Sequence, residues 1–214
     1  MFLKFPSLHL PLIMREKIIQ KAGEMFLNLG FKSITMDDLA HEMGISKKTI
    51  YSHFKNKTDL VQQTAMSMTD FIVCGIDDIV ALQKNPIEEL YEIKRFVMLH
   101  LKDEKSSPLY QLQKYYPKIY TSLKEVQFEC THRCIAKNVK RGMQMGIYRD
   151  NLNVEFVSRI YFTGITSLKD NGLFPTEIFS KAELMDYYLE YHLRGIVTPE
   201  GRKILNSIIN SNKE

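Results

Sequence analysis

Two strong helix-start signals, Thr35 and Ser46, stand close together with Gly44 between them, and this spacing constrains the fold more than any other feature of the chain. Thr35 is a good N-cap, with Asp38 at the reciprocal capping-box position and Ile34 and Leu39 spaced as a hydrophobic staple. Ser46 repeats the arrangement, with Ile45 and Ile50 as the staple pair. Gly44 sits where a helix ending wants a left-handed residue. The spacing predicts one short helix from Thr35 to Met43 and a second over Ser46–Phe54, joined by Gly44-Ile45-Ser46. That is the pattern of a helix-turn-helix.

The remaining segments also read as helices. Ile18, Ala22, Met25, Phe26 and Leu29 share one face of a helix over Met14–Leu29, stopped by Gly30. Asn56 caps a helix that runs towards Leu82 and is broken at Asn85–Pro86. Further helices are predicted over Pro86–Leu101, Ser106–Tyr116, Pro117 to about Met145 with Gly146 as its stop, Val154–Leu168, and Ala182–Arg194 ended by Gly195. Thr198 caps a last helix with Pro199 at its first position. No stretch alternates as a strand does, and no repeat or low-complexity segment interrupts the pattern. Glycine and proline, 10 and 7 in 214 residues, are too sparse for many short strands. The fold class is all-α.

Composition excludes several classes. At 44% hydrophobic and 25% charged, the chain has the balance of a globular domain with a real core. No apolar run reaches the roughly 20 residues of a membrane span, so no membrane partner is expected. Residues 1–13 are apolar but broken by Pro6 and Pro11 and lack a small-residue cleavage site. They are expected to be a disordered extension, with Met14 as a possible alternative start. Three cysteines, Cys74, Cys130 and Cys134, lack a disulfide framework, which points to a reducing, cytoplasmic setting. Cys130-x-His132-x-Cys134 has no second ligand pair, so no metal and no cofactor are expected. No nucleophile–base set, P-loop, dinucleotide fingerprint or zinc-protease motif is present, since His41-Glu42-Met43 lacks the second histidine. An enzyme is not expected.

The net charge of +4 is mild, so its distribution matters. Lys47, Lys48, Lys55 and Lys57 fall between Gly44 and Lys57, a stretch without an acid. At ~100° per residue, Ile50 and Phe54 face inward while Lys48 and Ser52 face the opposite way. Thr49, Tyr51 and His53 add groups suited to phosphate hydrogen bonds. Thr35 opens a helix whose N-terminus can receive a phosphate. A solvated lysine face would not need this mixture, whereas phosphate positioning and base-edge reading would.

With Ile34-Thr35-Met36-Asp37-Asp38-Leu39-Ala40, Met43-Gly44-Ile45-Ser46 and Thr49-Ile50-Tyr51-Ser52-His53-Phe54-Lys55-Asn56-Lys57, the stretch Ile18–Leu60 resembles the N-terminal domain of the TetR family of regulators. The resemblance implies an N-terminal three-helix helix-turn-helix DNA-binding domain over 14–62. It implies a C-terminal helical ligand-binding and dimerisation bundle over 63–214. It also implies a homodimer on a double-stranded DNA operator, an unknown small-molecule effector, and a cytoplasmic, nucleoid-associated repressor. By motif position, Thr35, Thr49, Tyr51, His53 and Lys57 would contact phosphates, and Lys47, Lys48 and Ser52 would face bases, with Ser46 as the cap beside them.

Beyond about Ala65 the resemblance is architectural only. Tyr91, Phe96, Tyr110, Tyr115, Tyr116, Tyr120, Phe128, Tyr161 and Phe162 are candidates to line an effector pocket, or else fill a helical core. His100 and His132 stand alone and read as structural or exposed. By analogy with the family, the Val154–Leu168 and Ala182–Arg194 pair would build the dimer interface through Phe156, Ile160, Tyr161, Tyr187, Tyr188 and Tyr191. A helical DNA-binding protein controlled by a protein partner would carry the same N-terminal residues.

Overall fold

Helix α1 (Met14–Leu29) opens the chain in the computed structural model, which describes residues 13–100 and 108–211. The expected extension before Ile13, the end of one expected helix at Leu101 and the start of another at Ser106 lie outside the described residues. Helix α1 buries Ile18, Ala22 and Phe26 of the predicted face and packs Met25 partly against the core, but Leu29, at the helix end before Gly30, is exposed instead. Helix α2 (Met36–Met43) begins with a complete capping box: the Asp38 N–H donates to Thr35 Oγ1 at 3.1 Å, and the Thr35 N–H donates to Asp38 Oδ2 at 2.8 Å. Gly44 ends it at φ +63°, and the Ile45 N–H reaches back to the Ala40 carbonyl at 3.0 Å. No atom crowds the place of a Cβ at Gly44, so the backbone angle, and not space, calls for glycine there.

Helix α3 is shorter than the spacing predicts, Lys47–Tyr51 with Ser46 as N-cap, and does not reach Phe54. Ser52 Oγ donates to the Thr49 carbonyl at 2.7 Å, and such local bonds compete with helix continuation. The His53 and Phe54 amides still donate to the Ile50 carbonyl, so one tight turn carries the chain to Phe54. Asn56 then caps α4 (Lys57–Ala81) by accepting from the Asp59 N–H at 2.9 Å. Helices α5 (Pro86–His100), α6 (Pro108–Tyr115), α7 (Pro117–Gln144), α8 (Val154–Ser167), α9 (Lys181–Ile196) and α10 (Pro199–Ser211) complete the ten helices among the described residues. Helix α9 both starts earlier and ends later than Ala182–Arg194. Ser180 and Glu183 form a capping box at its start, and Gly195 stays helical, with the ending set by buried Ile196 and by Val197, which bridges to Tyr148. That antiparallel bridge is isolated, and the described residues hold no strand.

The chain forms two compact units. The described residues of Met1–Cys74 and Glu104–Gln127 make the first; those of Gly75–Asp103 and Phe128–Glu214 make the second. The first unit's core joins Ile18, Phe26, Leu39, Ile50, Phe54 and Leu60, and Leu112 of α6 and Ile119 of α7 pack into it. The second unit's core is built from Ile87, Leu90, Val139, Tyr148, Leu189, Leu193 and Leu205. A buried polar group runs through it: Asn138 Nδ2 donates to Glu89 Oε1 at 2.8 Å, Arg141 donates to Glu89 Oε2 at 2.6 Å, and the Tyr148 hydroxyl donates to Asn138 Oδ1 at 3.1 Å. Each member bonds another, as buried polar groups favour, although Arg141 Nε is buried without a partner. No helix among the described residues is long and apolar enough to cross a membrane.

Candidate nucleic-acid interface

The fold holds α3 by its inner face and leaves its outer face open. Ile50 is fully buried and Phe54 nearly so, while Lys47, Lys48, Tyr51, Ser52, His53 and Lys55 are exposed. Five helical residues are too few to hold a helix by hydrogen bonding alone, so this packing and the Ser46 cap supply the rigidity. Ser46 Oγ accepts from the Thr49 N–H at 3.0 Å and lies 2.8 Å from Thr49 Oγ1. The Arg15 guanidinium of α1 stacks 5.6 Å from the Phe54 ring centre and brings a cation to the end of α3 that sequence spacing did not single out.

The polar side chains at this surface differ in how far they are already engaged. Lys48 is exposed, and among the described residues its ammonium makes no hydrogen bond or ion pair, while its carbonyl accepts from the Ser52 N–H at 3.0 Å. Lys47 is paired with Asp37 of α2 at 2.8 Å, and that hydrogen bond raises its pKa above the ordinary lysine value. The hydroxyls of Thr35, Ser46 and Thr49 serve helix caps, and Ser52 bonds to Thr49. Thr35 thus opens α2 with its hydroxyl committed to Asp38, whose carboxyl is held below the usual range by the Thr35 backbone N–H and hydroxyl. Lys57, half-buried at the start of α4, donates from Nζ to the Lys32 carbonyl at 3.0 Å. Burial lowers its pKa, and the nearby Lys32 charge lowers it further. An ammonium has three N–H groups, so two remain for an anion.

The aromatic residues of the expected pocket are divided between the two units. Tyr110, Tyr115 and Tyr120 belong to the first unit. Tyr110 and Tyr115 are exposed, and Tyr116 and Tyr120 pack on that unit's core. Tyr91 and Tyr161 are buried in the second unit's core. Phe96 packs closely against Gly75, and Phe128 meets Phe162 edge-on at 5.1 Å. Tyr91 also borders a cleft of about 320 Å³ with Glu92, Arg95 and Ile208. His100 bonds the Phe96 carbonyl, and His132 pairs with Glu155 at 2.7 Å.

On α8 and α9, Phe156, Ile160, Tyr187 and Tyr191 are exposed, Phe156 by 64% and Tyr191 by 78%. Tyr161 and Tyr188 instead pack within the chain. The Tyr188 ring lies over Gly164, and its hydroxyl reaches the Ile160 and Tyr161 carbonyls at 3.1 and 3.0 Å.

The profile of the bacterial regulatory proteins of the tetR family matches residues 18–64, the span that holds α1 to α3 and the first turns of α4. Over its length the chain is similar to the HTH-type transcriptional repressor KstR2 of Mycolicibacterium smegmatis, at 22% identity over 202 residues that cover 90% of this chain and 95% of that protein. Its fold is similar to that of a TetR-family transcriptional regulator from Mesorhizobium loti, with a TM-score of 0.67 and 21% identity over 86% of this chain and 96% of that one. It is similar again to a transcriptional regulator from Saccharomonospora viridis solved in complex with choline, with a TM-score of 0.69 and 18% identity over 86% of this chain and 97% of that one. These likenesses agree with the capped helix-turn-helix: over residues 18–64 the chain carries the N-terminal domain of the tetR family of bacterial regulatory proteins, and it is a DNA-binding transcriptional regulator.

Proposed function

We propose that the chain is a ligand-responsive repressor that binds, as a homodimer, an operator with two half-sites. The observation that carries this is α3, anchored through Ile50 and Phe54 and presenting Lys48, Tyr51, Ser52 and His53 outward. In this reading Lys48 and Ser52 face base edges, and Lys47 joins them once DNA competes for its pairing with Asp37. Tyr51, His53, Lys57 and the starts of α2 and α3 at Thr35, Ser46 and Thr49 hold phosphates. The DNA-binding part is assigned to residues 14–62 and the regulatory part to 63–214. Repression is supported by the likeness to KstR2, a repressor.

Dimerisation is assigned to α8 and α9, whose exposed Phe156, Ile160, Tyr187 and Tyr191 form an apolar and tyrosine-rich surface of the kind an interface core uses. Two recognition helices would then stand roughly 34–36 Å apart, one turn of DNA. The effector site is assigned to the second unit, where the cleft beside Tyr91 offers a partly apolar lining with Glu92 and Arg95. A ligand there shifts the population away from the DNA-matched spacing, with coupling of about 1–3 kcal/mol.

The test is a mobility shift with DNA upstream of the protein's own gene. The full chain should retard it in the presence of excess random competitor. Lys48→Ala should lose discrimination at one base position while still binding random DNA. Equal weakening on specific and random duplex would remove Lys48 from base reading, and no retention over competitor would reject the proposal.

A further inference from the structure

The first unit carries a second basic surface, which the helix-turn-helix does not use. It lies where the loop after α1 meets α6. Lys32 Nζ stands 5.3 Å from the Tyr115 ring centre, and Lys114 Nζ stands 5.5 Å from the same ring and 5.7 Å from that of Tyr110. Both rings are exposed, by 43% and 59%. Among the described residues no carboxylate lies within ion-pair distance of Lys32 or Lys114. Two ammonium groups sharing one ring repel each other. The ring's electron-rich face offsets part of that, and an anion between them would offset more.

This surface is built and held in place. The Lys32 N–H donates to Gln111 Oε1 of α6 at 2.9 Å. Gly30, at φ +92°, presses on the same amide so closely that a Cβ would stand 2.2 Å from Gln111 Nε2. The backbone angle favours glycine at that point, and a side chain there would have to push the Gln111 amide away from the loop. The loop is also continuous with the candidate DNA surface. Lys57 bonds the Lys32 carbonyl, and Thr35, the cap of α2, follows Lys32 along the same loop. A basic track runs from Lys57 through Lys32 to Lys114, with Tyr115 and Tyr110 set into it.

We propose that Lys32 and Lys114, flanked by Tyr115, hold backbone phosphates of double-stranded DNA outside the half-site that α3 reads. The occupant is duplex phosphate because the track begins at the helix starts assigned to the operator and carries three lysines and hydroxyl-bearing rings, with the carboxylate beside Lys57, that of Asp38, already bonded to the Thr35 cap. These contacts carry no sequence information. They lengthen the footprint and add affinity that salt removes. The inference rests on the reading of α3 as the recognition helix.

The test uses the full chain, a duplex trimmed to the two half-sites, and the same duplex with about ten extra base pairs on each side, titrated by fluorescence anisotropy over a range of salt. The wild type should bind the flanked duplex several-fold tighter, with a salt slope steeper by about 0.9 for each phosphate held in each subunit. Lys32→Ala and Lys114→Ala should each reduce that difference while leaving binding to the trimmed duplex unchanged. Lys114→Arg should keep it. Lys114 is exposed, so its variants should melt as the wild type does. An equal flank advantage in wild type and Lys114→Ala would overturn the proposal, as would no flank advantage in the wild type. Failure of the recognition reading shows separately, as no specific binding of the trimmed duplex by the wild type.

Discussion

Lys57 joins two tasks in one side chain. One of its N–H groups ties the start of α4 to the loop after α1 through the Lys32 carbonyl, and the other two are free to face an anion. Lys57→Ala should weaken binding to every duplex and flatten the salt slope by about one unit per subunit. It should also lower the melting temperature slightly through the lost tether. A loss confined to one operator base pair, measured by anisotropy on a mutated-site panel, would contradict the phosphate role. His192 makes a different prediction at the same scale. It is buried between Tyr161 and Tyr188, and burial pushes its pKa down to about 4. The neutral ring is the form the fold accepts. Its contribution to stability is therefore full above the unfolded value near 6.5 and is lost as pH falls from there through about 4. A depression of this size corresponds to roughly 3 kcal/mol. Chemical denaturation from pH 7 to 4 should show a steeper loss for wild type than for His192→Phe. Parallel curves would show that His192 does not titrate against the fold.

At the scale of elements, α3 depends on its cap and its anchor. Ser46→Ala removes the oxygen that accepts from Thr49 and should cost about 1 kcal/mol, read as a lower denaturation midpoint with an unchanged slope. Helices α8 and α9 depend on a close approach. A Cβ at Gly164 would stand 2.1 Å from the Tyr188 ring, so Gly164→Ala must displace that ring and its bonds to α8. A cost of about 1–3 kcal/mol is expected, and an unchanged melting temperature would show that the ring moves freely. Helices α2 and α3 were legible because Thr35, Asp38, Gly44 and Ser46 act within one turn of themselves. The end of α3 was misplaced because Ser52 chooses between solvent and the Thr49 carbonyl, and periodicity does not register that choice. The Glu89–Asn138–Arg141–Tyr148 group was not legible, since its members meet only through packing. The aromatic residues of α5 to α8 were legible as helical but not as a site. Tyr120 and Tyr161 have the same spacing signature, and the fold sends them to different cores.

In the whole molecule, reading an operator with two half-sites needs two copies of α3 presented together. The exposed side chains of α8 and α9 should be covered in solution, so Tyr191→Glu combined with Phe156→Glu should shift light-scattering mass from dimer to monomer and weaken operator binding by more than tenfold. A variant that remains dimeric would move the interface elsewhere. The relatives share this architecture at low identity, and the operator reading proposed above rests on the outward face of α3. The most direct measurement is therefore selection of bound sequences from a random double-stranded library by the wild type and by Lys48→Ala. The wild type should enrich a near-palindromic site with two half-sites about one helical turn apart, and Lys48→Ala should enrich the same site with one position relaxed in each half. Enrichment of no common sequence, or of an identical site by both proteins, would contradict the operator reading.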